Sequence, residues 1–75
     1  MYEYQVGIEG MMCGMCETHI ADTIRKAVPD AKKVKASRRK NLATFRTEQK
    51  MDEAALRQSI ANIGYTMTNV VEKQV

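Results

Sequence analysis

The sequence predicts an α+β domain with the ferredoxin-like βαββαβ arrangement, a four-stranded antiparallel sheet carrying two helices on one face. Three observations lead there. Short stretches alternate apolar and polar residues at the period of a strand, two longer ones repeat apolar residues at the spacing of a helix, and these stretches follow one another as strand, helix, strand, strand, helix, strand. The chain has 75 residues, enough for one small domain spanning 1–75 and too few for a second.

Each element has its own warrant. Tyr2, Tyr4, Val6 and Ile8 alternate with Glu3, Gln5, Gly7 and Glu9, as in a half-buried strand. Gly10 to Met15 contains two glycines and breaks that alternation. Ile20, Ile24, Ala27 and Val28 then follow at i, i+4, i+7 and i+8, an amphipathic helix that must end before Pro29. Pro29-Asp30 is a turn, and Val34 and Ala36 alternate with Lys33, Lys35 and Ser37 in a second strand with a basic outer face. Arg38-Arg39-Lys40-Asn41 is short and polar enough to be a hairpin connection, and Leu42 to Thr47 returns as a strand with Ala43 and Phe45 inward. Asp52 can cap a second helix whose Leu56, Ile60 and Ile63 share one face, with Ala55 and Ser59 beside them and Gly64 as the C-cap. Thr66 to Glu72 is the last strand, after which Lys73-Gln74-Val75 are expected to fray. There is no internal repeat, low-complexity segment or linker.

This topology gathers three connections at one end of the domain. They are the loop after the first strand, the basic hairpin at Arg38–Asn41 and the Gly64-Tyr65 turn.

Composition narrows the function. Twelve basic against 9 acidic residues give a net charge of +3, too mild to argue for nucleic acid, and only four aromatic residues are present to stack bases. Met1-Tyr2-Glu3-Tyr4 lacks the basic and apolar regions of an export signal, and no apolar run approaches the ~20 residues of a membrane span, so the cytoplasm is the expected location. Two cysteines in a single C-x-x-C are no framework for a disulfide-stapled mini-protein, and they read as reduced and functional.

The chemistry concentrates in Gly10 to Ile20, which holds both cysteines, the only histidine and the methionines Met11, Met12 and Met15. Cys13 and Cys16 are three positions apart, so a loop running into a helix can turn both thiols toward one point, which suits a disulfide or one soft metal ion. Cys16 stands near a helix N-terminus, where the macrodipole and unpaired N–H groups favour thiolate.

Taken with the element order, Gly10-Met11-Met12-Cys13-Gly14-Met15-Cys16, followed by Ile20 and later by Gly64-Tyr65, resembles the heavy-metal-associated domain family. Its members are copper chaperones, including bacterial ones, and the metal-binding domains of metal-transporting P-type ATPases. The resemblance implies that Cys13 and Cys16 hold Cu(I) as a near-linear bis-thiolate. It implies that Met11 packs under the loop without binding metal, and that Tyr65 is the aromatic that bacterial copper chaperones tend to carry beside the site. The implied partner is a P-type ATPase or a similar dithiol protein, and a metal-bridged homodimer is a candidate assembly.

Some positions depart from the family pattern. Met12 and Met15 stand where small or polar residues are commoner, which makes them candidate auxiliary ligands against the plainer reading of exposed or loop-packing side chains. A carboxylate directly before the first cysteine would have favoured a harder ion such as Zn(II), and Met12 in that place favours copper. His19 lies three residues beyond Cys16 on the same helical side and is a further candidate auxiliary ligand, against the plainer reading of an exposed surface histidine. Glu17 replaces a commonly small apolar residue and is read as structural, its charge suiting a helix N-terminus. Arg38, Arg39 and Lys40 belong to a charge run that is ordinarily a solvated face, but their place at the metal end suits docking of an acidic partner.

The leading expectation is a non-enzymatic Cu(I) metallochaperone that passes its ion on by thiolate exchange. Three alternatives stand beside it: a Zn(II), Cd(II) or Hg(II) domain of the same fold, a regulatory module of a transporting ATPase, and a C-x-x-C thiol–disulfide oxidoreductase. Against the last, thioredoxin-like chains are longer and carry a proline-bearing substrate loop, whereas the only proline here, Pro29, belongs to a turn at the other end.

Overall fold

The computed structural model describes residues 1–11 and 14–75. The order of elements is β1 (Tyr2–Glu9), α1 (Gly14–Ala27), β2 (Lys32–Ser37), β3 (Leu42–Thr47), α2 (Glu53–Asn62) and β4 (Thr66–Gln74). The strands form one antiparallel sheet in the order β2-β3-β1-β4, the ferredoxin-like topology.

The alternation in β1 becomes a two-faced strand. Tyr4, Val6 and Ile8 are buried with Ala43 and Phe45 of β3 and Met67 of β4, and α1 covers them with Ile20 and Ile24 while α2 adds Leu56 and Ile60. Both helices thus share one face of the sheet. Helix α1 stops at Ala27, two residues before Pro29, because that ring has no N–H and disfavours helical backbone in the residue before it. At the start of α2 the Asp52 carboxylate accepts from Ala55 N at 3.1 Å, which satisfies one of the unpaired N–H groups of the first turn.

The structure departs from the sequence pattern in three places. Ile63, which periodicity assigns to the core face of α2, is the C-cap residue and is 41% exposed, because the helix has already closed at Asn62. The cap glycine lies one position further on: Gly64, at φ +89°, donates to Ala61 O at 3.0 Å, and Tyr65 N donates to Ile60 O at 3.2 Å. That pair of bonds is the Schellman closure. Strand β4 also runs beyond Glu72, since Lys73 pairs with Glu3, Gln74 pairs with Tyr2, and Val75 N donates to Met1 O at 3.0 Å. Pairing to a neighbour holds that end instead of leaving it to fray.

Two irregularities shape the sheet edges. Between Val6 and Ile8 the register with β4 slips by one, so that Thr68 and Asn69 together oppose Gly7 in a bulge. Arg57 of α2 reaches this bulge, its guanidinium donating to Met67 O and, at 3.2 Å, to Thr68 O. In β2 the register with β3 slips between Lys32 and Lys35, where Lys33 takes φ +53°.

At the end away from the β1–α1 connection, the buried Tyr4 hydroxyl donates to Glu72 Oε1 at 2.8 Å and accepts from Met51 N at 3.2 Å. Among the described residues no helix is long and apolar enough to cross a membrane.

Candidate metal site

Strand directions decide which connections meet. Because β1 runs antiparallel to both β3 and β4, with Gly7 opposite Leu42 and Glu9 opposite Thr66, the end of β1, the β2–β3 hairpin and the α2–β4 turn share one pole. The β1–α1 connection, residues 10–13, begins there. Met12 and Cys13 lie outside the described residues.

Gly10 opens the connection at φ +103°, a conformation open to glycine and poorly tolerated by residues with a Cβ. Met11 turns inward and is 6% exposed, part of the core. Gly14 starts α1, and Thr18 Oγ1 donates back to Gly14 O at 3.4 Å. Cys16 sits in the first turn, half-buried and packed against the core, with its thiol in the region where helix N–H groups and the macrodipole favour negative charge. Tyr65 follows the α2 cap and packs against the same core, its ring beside Gly10.

The other sequence candidates scatter around this centre. Met15 projects outward at 65% exposure. His19 is exposed on α1, one turn beyond Cys16, where it borders a shallow groove with Asp22, Thr23, Lys26 and Ile63. Arg38, Arg39 and Lys40 are exposed at the hairpin tip. Among the described residues their side chains have no acidic partner, whereas Arg25, Lys32, Arg46, Lys50 and Arg57 each lie within 4.0 Å of a carboxylate. Asn41 closes the hairpin at φ +54°, a left-handed conformation that asparagine tolerates, and its carbonyl accepts from Ile8 N at 2.8 Å.

One contact at this pole escaped sequence reasoning. Glu17 Oε2 accepts from Arg38 N at 2.8 Å, joining α1 to the hairpin. The only available signal was a carboxylate where a small apolar residue is commoner, and nothing in the local pattern says what it reaches.

Pro29 lies at the opposite pole. Its neighbour Asp30 accepts from Glu48 N at 3.2 Å just beyond β3, whose last residue Thr47 pairs with Tyr2 at the start of β1. The proline is therefore remote from the cysteine loop.

The chain shares its fold with a copper binding domain and a metallochaperone. The copper binding domain from HMA7, a P-type ATPase, superposes with a TM-score of 0.81 at 21% identity, covering 99% of this chain and 100% of that one. A protein solved in the context of crosstalk between Cu(I) and Zn(II) homeostasis gives 0.76 at 22% identity over 92% of this chain and 97% of its own. The CopZ metallochaperone gives 0.75 at 15% identity over 88% and 98%. No family profile matches the chain, and no curated protein sequence does.

Proposed function

We propose that this protein belongs to the heavy-metal-associated domains and acts as a soft-metal carrier. In this reading Cys13 and Cys16 bind Cu(I) through their thiolates and surrender it to a dithiol on a partner such as a metal-transporting P-type ATPase. The observation that carries it is the position of Cys16, half-buried in the first turn of α1 and three residues after Cys13, at the pole where Tyr65 and the hairpin meet. Thiolates are soft ligands suited to Cu(I), and the helix N-terminus favours their charged form. The fold shared with a copper binding domain and a metallochaperone supports the same reading.

Handover follows from the setting. A site on a connecting loop lets an incoming thiolate approach before the first ligands leave, so the ion moves by exchange and is never released to water. Met11 fixes the loop from beneath, Tyr65 shields the ion at the mouth of the site, and Met15 and His19 flank it without being needed as ligands. Nothing in this role calls for bond-making on a substrate, so the protein works as a carrier in place of an enzyme. Reduced thiols suit the cytoplasm.

Zn(II) is the second reading, supported by the likeness to the protein of Cu(I) and Zn(II) crosstalk. Anaerobic titration of the reduced chain with Cu(I), Zn(II) and Hg(II) against competing chelators tests both. The expected result is one Cu(I) per chain, held more tightly than Zn(II). Tighter Zn(II) binding replaces the first reading with the second, and failure to bind any of the three ions removes both.

A further inference from the structure

The bond from Arg38 N to Glu17 Oε2 spans 21 positions and ties the hairpin tip to the helical turn that carries Cys16. Its donor is the backbone amide of Arg38, so the guanidinium stays available. Arg38, Arg39 and Lys40 remain exposed and, among the described residues, form no ion pair. Two further bonds hold the turn: Lys40 N donates to Ser37 Oγ at 3.4 Å, and Ile8 N donates to Asn41 O at 2.8 Å. The first lies within the hairpin and the second joins it to β1. Glu17 sets the hairpin against α1 through this bond, and a carboxylate acceptor makes it stronger than a neutral one.

We propose that Glu17 is a positioning residue, clamping the cationic hairpin onto the first turn of α1 so that docking surface and thiol loop meet an acidic protein partner in one register. This rests on the carrier reading above and adds a route by which docking is felt at the metal loop. An anionic surface that engages Arg38, Arg39 and Lys40 displaces the Arg38 amide, and the displacement passes to Glu17, the residue next to Cys16.

The test uses the reduced 75-residue chain labelled with ¹⁵N, as wild type, Glu17→Ala and Glu17→Gln, with a hexaglutamate peptide as the acidic probe. Hydrogen exchange at the Arg38 amide should quicken roughly tenfold or more in Glu17→Ala, the scale of one hydrogen bond to a charged group. It should quicken less in Glu17→Gln, whose neutral side-chain carbonyl still accepts but without the carboxylate's charge. Hexaglutamate should shift the hairpin amides in all three proteins and the amides of residues 17–19 only in wild type and Glu17→Gln. Equal Arg38 exchange in the three proteins overturns the proposal, as does a loss in Glu17→Gln as large as in Glu17→Ala, or a helix response that survives in Glu17→Ala. Wild-type hairpin amides that ignore hexaglutamate overturn it as well. A wild type that takes up no Cu(I) removes the carrier reading while the Arg38 exchange comparison stands, so the two can fail separately.

Discussion

The ring of Tyr65 lies against the backbone of Gly10, where an added Cβ would stand 3.2 Å from Tyr65 Cδ1 while the residue holds φ at +103°. The backbone conformation strains any residue with a Cβ, and the ring would have to give by a few tenths of an ångström to admit one. Gly10→Ala should therefore cost about 1–3 kcal/mol through backbone strain alone and disturb the Tyr65 ring. Urea unfolding with tyrosine fluorescence measures both, and an unchanged midpoint would show that the β1–α1 connection rearranges freely.

Met11 is 6% exposed and closes the core beneath that connection. Met11→Ala should destabilise the metal-free protein by ~2–5 kcal/mol, the range for truncating a buried large side chain. Thermal unfolding checks this, and a melting temperature equal to wild type would mean that the loop collapses onto the cavity at no cost.

Cys16→Ser should lose tight Cu(I) binding, and so should Cys13→Ser. For Cys16 there is a second expectation, because its half-buried side chain packs against the core. Placing a hydroxyl there should cost about 1 kcal/mol of metal-free stability, visible as a lower urea midpoint with the circular dichroism spectrum retained. A mutant that kept wild-type Cu(I) affinity would remove that cysteine from the site.

The Tyr4 hydroxyl gives a pH-dependent expectation. Its pKa is raised above the ordinary 10.0, first by burial and then by the Glu72 carboxylate, with the Met51 N–H acting in the opposite direction. A raised folded-state pKa means that the folded chain holds this proton more tightly. The associated stability is complete below pH 10.0 and is lost as the pH climbs through the higher folded value. Tyr4→Phe should flatten the alkaline end of the stability profile. At neutral pH it should cost about 1–2 kcal/mol, because Met51 N loses its acceptor. Parallel alkaline limbs for mutant and wild type would assign the loss of stability to other groups.

Changing Arg38, Arg39 and Lys40 together to glutamate should slow Cu(I) transfer to an acidic-faced partner domain. The gap from wild type should narrow as salt shortens the Debye length from ~10 Å at 0.1 M to ~3 Å at 1 M. Stopped-flow transfer at two ionic strengths measures it. Equal rates at low salt would make the hairpin an ordinary solvated turn.

What could be read from the sequence was local. The alternation from Tyr2 to Ile8, the repeat from Ile20 to Val28 and the Asp52 cap are each written within a few neighbouring residues, and together they fix the element order and hence the shared pole. The bulge opposite Gly7, the pairing of Lys73 and Gln74 with β1 and the bond from Arg38 to Glu17 depend on which strand or helix lies alongside. No single segment encodes that. Ile63 misleads for the converse reason, since its spacing is helical but the Gly64 closure has already ended the helix.

The grip of Arg57 on β4 has a colloidal consequence. A sheet edge with free carbonyls and amides invites another strand to add to it. Val75 donates to Met1, so alternate residues below the bulge direct their amides at β1, and Val70, Glu72 and Gln74 face the open edge. Above them the guanidinium already occupies the carbonyls of Met67 and Thr68. The bulge and the arginine together cut the longest edge strand to a short stub, a poor template for fibrous growth when the protein is concentrated.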